Sequence, residues 1–182
     1  MQIKKSDKRF CEIIDSLRGK AKVRVLMVCL GNICRSPAAE GVLKMLVHER
    51  GDDARWEIDS AGTGGWHVGD LPDSRMRAHA RRRGLVLDHI CRQVRESDFE
   101  NFDLVIGMDA GNLDRLHEIA PTPEAQAKIM GMAEWFGDFS RYDCVPDPYY
   151  DGAEGFELVL DMLQDATLNM YDTIAPVLKK PQ

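Results

Sequence analysis

Val23-Arg24-Val25-Leu26-Met27-Val28-Cys29-Leu30, followed at once by Gly31-Asn32-Ile33-Cys34-Arg35-Ser36-Pro37, is the stretch from which the fold of this chain is read. Its first part is short, apolar and rich in β-branched side chains, the pattern of a strand buried on both faces. Pro37 suits the first turn of a helix, where a missing N–H is no loss. Behind it Ala39, Val42, Leu43, Leu46 and Val47 give one apolar face, and Gly51 can end the helix. The residues between therefore sit where a buried strand turns into a helix and backbone N–H groups converge.

Outward from this unit the alternation repeats. Trp56–Ala61 predicts a second strand, leading into the turn Gly62-Thr63-Gly64-Gly65. Asp73–Arg83 predicts a helix stopped by Gly84, Leu104–Met108 a third buried strand, and 111–119 another helix. Lys128–Met132 is a weaker fourth strand, and Phe156, Val159, Leu160 and Leu163 mark a long C-terminal helix. Short, continuously apolar strands alternating with helices predict an α/β fold, a parallel sheet with helices on both faces. Upstream, Phe10, Ile13, Ile14 and Leu17 have helical spacing, with Gly19 as the stop. Residues 1–22 are thus expected to be an N-terminal extension, a short helix packed on the surface of a single domain spanning 23–182.

A length of 182 residues suits one well-cored domain. No apolar run approaches the roughly 18 residues of a membrane span, and the polar N-terminus lacks a signal core, so a cytoplasmic protein without membrane contact is expected. Monomer is the default. The formal net charge of −6 argues against a nucleic-acid partner. The basic cluster Arg75, Arg77, Arg81, Arg82, Arg83 is the local exception, read as a solvated helix face or as a docking patch for acidic partners. Cysteines 11, 29, 34, 91 and 144 have neither C-x-x-C nor zinc spacing, so no metal is expected; their odd number suggests reduced thiols, at least one of them reactive.

Cys29 and Arg35 form a C-x5-R pair around the strand-to-helix turn. An ordinary cysteine thiol, with a pKa of about 8.5, is mostly protonated at neutral pH. A helix N-terminus, converging amides and the Arg35 guanidinium supply the positive potential that a nucleophilic thiolate needs. The same groups fit a phosphate dianion and, still better, its trigonal-bipyramidal transition state. Gly31 permits close backbone approach, Asn32 tolerates left-handed dihedrals, and the Ser36 hydroxyl can reach the Cys29 sulfur or act simply as a helix N-cap. Phosphoryl transfer also needs an acid for the leaving oxygen. Asp147, held between Pro146 and Pro148 and followed by the aromatic pair Tyr149-Tyr150, is the candidate.

These motifs resemble the low-molecular-weight protein tyrosine phosphatases. The likeness runs through Cys29–Pro37, Ser60-Ala61-Gly62-Thr63 with Trp66, Met108-Asp109 with Asn112, and Asp147-Pro148-Tyr149-Tyr150, over roughly residues 23–178. It implies a flavodoxin-like four-stranded parallel sheet, no metal or organic cofactor, and a phosphotyrosine-containing protein as substrate. It implies Cys29 as the nucleophile that becomes phosphocysteine, Arg35 as the phosphate binder and Asp147 as general acid, then base. Leu30, Gly31, Asn32, Ile33, Cys34, Arg35 and Ser36 would be the phosphate loop, with Ile33, Trp66, Tyr149 and Tyr150 lining the substrate cleft. Arginine phosphatases of this kind tend to carry threonine in place of Ile33 and to lack the paired tyrosines, which favours phosphotyrosine. Asp73-Ser74-Arg75 departs from the more usual Asp-Pro-Arg, putting the stiffness of that turn in doubt.

Cys34 shares a tight loop with Cys29, so oxidation could join the two and spare the nucleophile; the plainer reading is that Cys34 packs beneath the loop. Three alternatives use the same scaffold: arsenate reduction, a phosphocarrier, and a catalytically silent phosphotyrosine-binding module. The first would need a relay of further cysteines, and Cys91 and Cys144 are isolated in sequence. Asp147 argues against the second, and the complete catalytic set against the third.

Overall fold

A computed structural model of the chain describes residues 7–180; the outermost residues of the expected extension and domain, 1–6 and 181–182, lie outside them. Strands β1 (Val23–Cys29), β2 (Trp56–Gly62), β3 (Leu104–Gly107) and β4 (Ile129–Gly131) form one all-parallel sheet in the order β2-β1-β3-β4. Helices α1 (Lys8–Ser16), α2 (Arg35–Glu49), α3 (Ser74–Arg82), α4 (Asp98–Asn101), α5 (Ala110–Ile119), α6 (Pro123–Gln126) and α7 (Ala153–Ile174) surround it.

Strand β1 is central because both its edges are paired, Val25 standing between Ile58 of β2 and Leu104 of β3. Its side chains alternate between two cores, as the period of a strand requires. Val23, Val25, Met27 and Cys29 join the larger core, beneath α2 and α7. Leu26 and Val28 join the smaller one with Phe99, Leu116 and Ala125 from α4, α5 and α6. The chain leaves β1 for β2 on one side and then crosses to β3 on the other. Connections therefore diverge beyond the C-terminal end of β1, opening the crevice where open α/β sheets bind ligands.

The differences from expectation are local. Strand β3 ends at Gly107, and β4 is shorter than expected because a 3₁₀ turn begins at Met132. Helices α4 and α6 are single turns, too short for an apolar period to show. Leu46, expected on the apolar face of α2, is only partly buried. Serine in place of proline at 74 leaves that turn well defined, because the Asp73 carboxylate caps α3 by accepting from the N–H groups of Arg75 and Met76.

Helix α1 packs on the domain by its apolar face, its polar face exposed, and the inner side chains reach the core. Phe10 packs on the fully buried Trp135 at 5.0 Å between ring centroids, and Ile13, Ile14 and Leu17 belong to the larger core. Arg9 donates to Glu134, and the N–H of Gly19 donates to the carbonyl of Val177 at 2.8 Å. No helix among the described residues is long and apolar enough to cross a membrane.

Candidate active site

The turn after β1 is fixed by its carbonyls. Those of Cys29 and Leu30 accept from the N–H groups of Thr63 and Gly64, that of Ile33 from the N–H of Asp73, and that of Asn32 from the Cys91 thiol at 2.8 Å. In a trans peptide the N–H points opposite to the C=O. Four carbonyls turned outward therefore aim the following N–H groups the other way, to the inside of the loop. Gly62 lets β2 approach, since a Cβ there would lie 2.8 Å from the Leu30 carbonyl oxygen.

Asn32 is fully buried and is the one non-glycine residue with positive φ, 58°, among those described. Its side chain repays that conformation with a complete set of partners. Nδ2 donates to Ser36 Oγ and Ser60 Oγ, both at 2.9 Å, while Oδ1 lies 2.9 Å from the Arg92 N–H and 3.0 Å from His89 Nε2. Ser36 Oγ in turn lies 3.0 Å from Cys29 Sγ. Ser36 is not an N-cap: Cys34 holds that position, and Ser36 is inside α2. The space beside Gly31 is filled by His67, whose ring carbon would stand 3.2 Å from a Cβ.

Arg35 is 3% exposed beneath the loop. Its Nη1 donates to Asp109 Oδ2 at 2.5 Å and to the Val145 carbonyl at 3.2 Å, and its Nη2 reaches Asp147 Oδ2 at 3.3 Å. Burial opposes the guanidinium charge, but Cys29, Asp109 and Asp147 outweigh it and hold the pKa above the usual arginine value. Burial, reinforced by Asp73 and Cys29, pushes the Cys34 thiol far up; burial with Asp70 pushes Cys91 up to about 11. Both thiols stay protonated at neutral pH.

A pocket of about 260 Å³ opens over Cys29 and Arg35, lined also by Ile33, Trp66, Asp147, Tyr149 and Tyr150. The two tyrosine rings meet edge to face at 5.0 Å, and Trp66 and Tyr150 stand out at the mouth, 74% and 92% exposed. The sequence-predicted residues are thus brought to one place, across 112 positions between Arg35 and Asp147. Sequence reasoning quoted Asp109 and Ser60 without a role and passed over His67, His89 and Arg92. Cys91, isolated in sequence, proves to lie against the loop between Cys29 and Arg35. Nearby, ligand-type atoms of Glu40, Asp59 and His89 lie within 4.8 Å of one another. Each already has a protein partner: Ser60 Oγ on Glu40, the Ser60 N–H on Asp59, and both carboxylates on His89 Nδ1.

A buried arginine under a left-handed C-x5-R loop, with an aspartate across an aromatic-walled pocket, agrees with comparison to known proteins. The model of the family "low molecular weight phosphotyrosine protein phosphatase" matches residues 24–180. The chain belongs to that family. A low molecular weight protein-tyrosine-phosphatase of Streptomyces coelicolor is 44% identical over 152 residues, 83% of this chain and 93% of the relative. Among solved structures, a protein tyrosine phosphatase from Entamoeba histolytica superimposes with a TM-score of 0.82 at 41% identity, covering 85% of this chain and 98% of that one. A Drosophila arginine phosphatase also superimposes, with a TM-score of 0.75 at 34% identity over 81% of this chain and 95% of its own. The family match begins inside β1, so α1 lies outside it.

Proposed function

We propose that this phosphatase hydrolyses phosphotyrosine in protein substrates through a phosphocysteine on Cys29. The observation that carries the reading is the convergence of Cys29, Arg35 and Asp147 on one aromatic-walled pocket. The thiolate Sγ of Cys29 attacks phosphorus as the bond to the phenolic oxygen breaks, and protonated Asp147 gives its proton to that oxygen. Water then attacks the phosphocysteine, its proton passes to the Asp147 carboxylate, and the Sγ–P bond breaks to release phosphate and restore the thiolate. Arg35 Nη2, engaged among the described residues only by the 3.3 Å contact to Asp147, and Nε, which has no hydrogen-bond partner among them, are the donors available to phosphate oxygens. Phosphotyrosine is favoured over phosphoarginine by Ile33 and the edge-to-face pair Tyr149–Tyr150, which offer apolar walls to a phenyl ring.

The test compares wild type, Cys29→Ser and Asp147→Asn on p-nitrophenyl phosphate and a phosphotyrosine peptide, without added metal. Cys29→Ser should abolish turnover. Asp147→Asn should lower kcat on the peptide by about 10²–10³-fold and remove the alkaline fall of a bell-shaped pH profile. Undiminished turnover by Cys29→Ser would reject the mechanism, as would an Asp147→Asn profile identical to that of wild type.

A further inference from the structure

Helix α3 is strongly basic within a net-acidic chain: Ser74-Arg75-Met76-Arg77-Ala78-His79-Ala80-Arg81-Arg82 holds arginines and no carboxylate. Met76, His79 and Ala80 face the core, which leaves the arginines on the outer side. Of these four arginines and Arg83, which caps the helix C-terminus, two are committed elsewhere. Arg75 pairs with Asp73 and lies over the rings of Tyr149 and Phe156 at 5.2 and 5.0 Å, and Arg83 pairs with Glu157 and Asp161. Arg77, Arg81 and Arg82 have no carboxylate partner among the described residues; Arg82 touches only the His79 ring. Elsewhere Arg9, Arg18, Arg24, Arg55, Arg92 and Arg115 each pair with an acid, while Arg50 and Arg141 lie over tyrosine rings and Arg95 stands singly, so that only on α3 do arginines without an acid partner cluster among the described residues.

The strip begins at the mouth of the site. Asp73, which caps α3, donates its N–H to the Ile33 carbonyl of the phosphate loop, and Arg75 covers Tyr149 of the pocket wall. From Arg75 to Arg82 the helix advances about 10 Å, the span of roughly three extended residues. A polypeptide whose phosphotyrosine occupies the pocket carries its flanking residues across the pocket rim, and Tyr149 under Arg75 is part of that rim. We propose that the exposed face of α3 is a docking strip for acidic residues flanking the phosphotyrosine of the protein substrate. This deepens the phosphotyrosine reading and rests on it. The strip acts by charge, concentrating acidic segments at the pocket, so it is sensitive to salt and indifferent to exact register.

The experiment uses two phosphotyrosine peptides of equal length, one with glutamates and one with glutamines beside the phosphotyrosine, and p-nitrophenyl phosphate as a substrate with no flanks. At low salt, wild type should prefer the glutamate peptide about fivefold in kcat/KM, through KM. The preference should disappear in 0.5 M NaCl, on the order of what a Debye length of a few ångströms allows. The triple variant Arg77→Gln/Arg81→Gln/Arg82→Gln should lose it while retaining turnover of p-nitrophenyl phosphate. The triple lysine variant should keep it. Equal rates on both peptides overturn the strip, as does a preference that survives in the glutamine variant. Equal rates together with binding of phosphatidylserine vesicles by wild type alone would assign the strip to a lipid surface instead. If wild type turns over neither p-nitrophenyl phosphate nor peptide, the phosphatase reading fails separately. The relative affinity of the two peptides, measured by fluorescence anisotropy, still decides the strip.

Discussion

Arg35 and Arg55 are both largely buried and both meet carboxylates, yet one hub is closed and the other is left open. Arg55 grips Asp52 through Nε and Nη2 at 2.5 and 2.7 Å, and its Nη1 donates to the carbonyls of Ala175 and Lys179. Asp52 also accepts from Trp56 Nε1 and Tyr171 Oη, both at 3.1 Å, so the start of β2 is riveted to α7. Among the described residues Arg35 is firmly held only through Nη1, and its Nε has no hydrogen-bond partner. Its Nη2 has one long contact, to an Asp147 side chain that is 43% exposed. A saturated cluster serves stability; an unsaturated one, kept charged beneath a loop of inward N–H groups, is ready for an anion.

The largest effect should come from breaking the open hub. Arg35→Ala is expected to lower kcat/KM on p-nitrophenyl phosphate by at least about 10³-fold, with a smaller loss of melting temperature than a break in the closed hub. Asp52→Asn should do the reverse. It should cost about 3 kcal/mol of stability in denaturant titration and leave the kcat of the folded enzyme unchanged. Burial alone would raise the Asp52 pKa, but hydrogen bonds from Arg55, Trp56 and Tyr171 hold it below the usual carboxylate value. A depressed folded pKa contributes stability above the unfolded value, about 3.9, and loses it as pH falls further. The stability gap between wild type and Asp52→Asn should therefore be full at pH 7 and narrow below about pH 4.

The smallest expected effect refines the open hub from its support. Cys91→Ala removes the donor to the Asn32 carbonyl and should lower kcat by about fivefold, an effect on the order of one weak hydrogen bond. Cys91→Ser should restore much of it, which a purely space-filling cysteine would not. Alkylation with iodoacetamide should label Cys29 at neutral pH and leave Cys34 and Cys91 unmodified, because burial keeps both of those thiols protonated.

The strand-to-helix unit at 23–37 was legible because its signals are local: an apolar run, a proline in the first helical turn and a cysteine and arginine six positions apart. The same holds for the order of strands and helices along the chain. The support of the loop was not legible, because it crosses 57 to 60 positions, from His89, Cys91 and Arg92 to Asn32, and no local period encodes such contacts. Asp109 belongs to the same class: its carboxylate both caps α5 and holds Arg35, and only the cap has a local signature. What α1 packs against was hidden for a related reason. Amphipathic spacing shows that Phe10, Ile13, Ile14 and Leu17 bury one face but does not say against what.

Synthesis order gives that last helix an unusual history. Residues of α1 leave the ribosome ahead of their partners: Glu134 and Trp135 follow some 125 positions later and Val177 later still. Until the C-terminal part of the chain emerges, four apolar side chains have no core to enter, and the seating of α1 is a late, non-local event of biogenesis. The nascent domain thus carries an adhesive segment ahead of its core until its last helix is made, a natural handle for a chaperone.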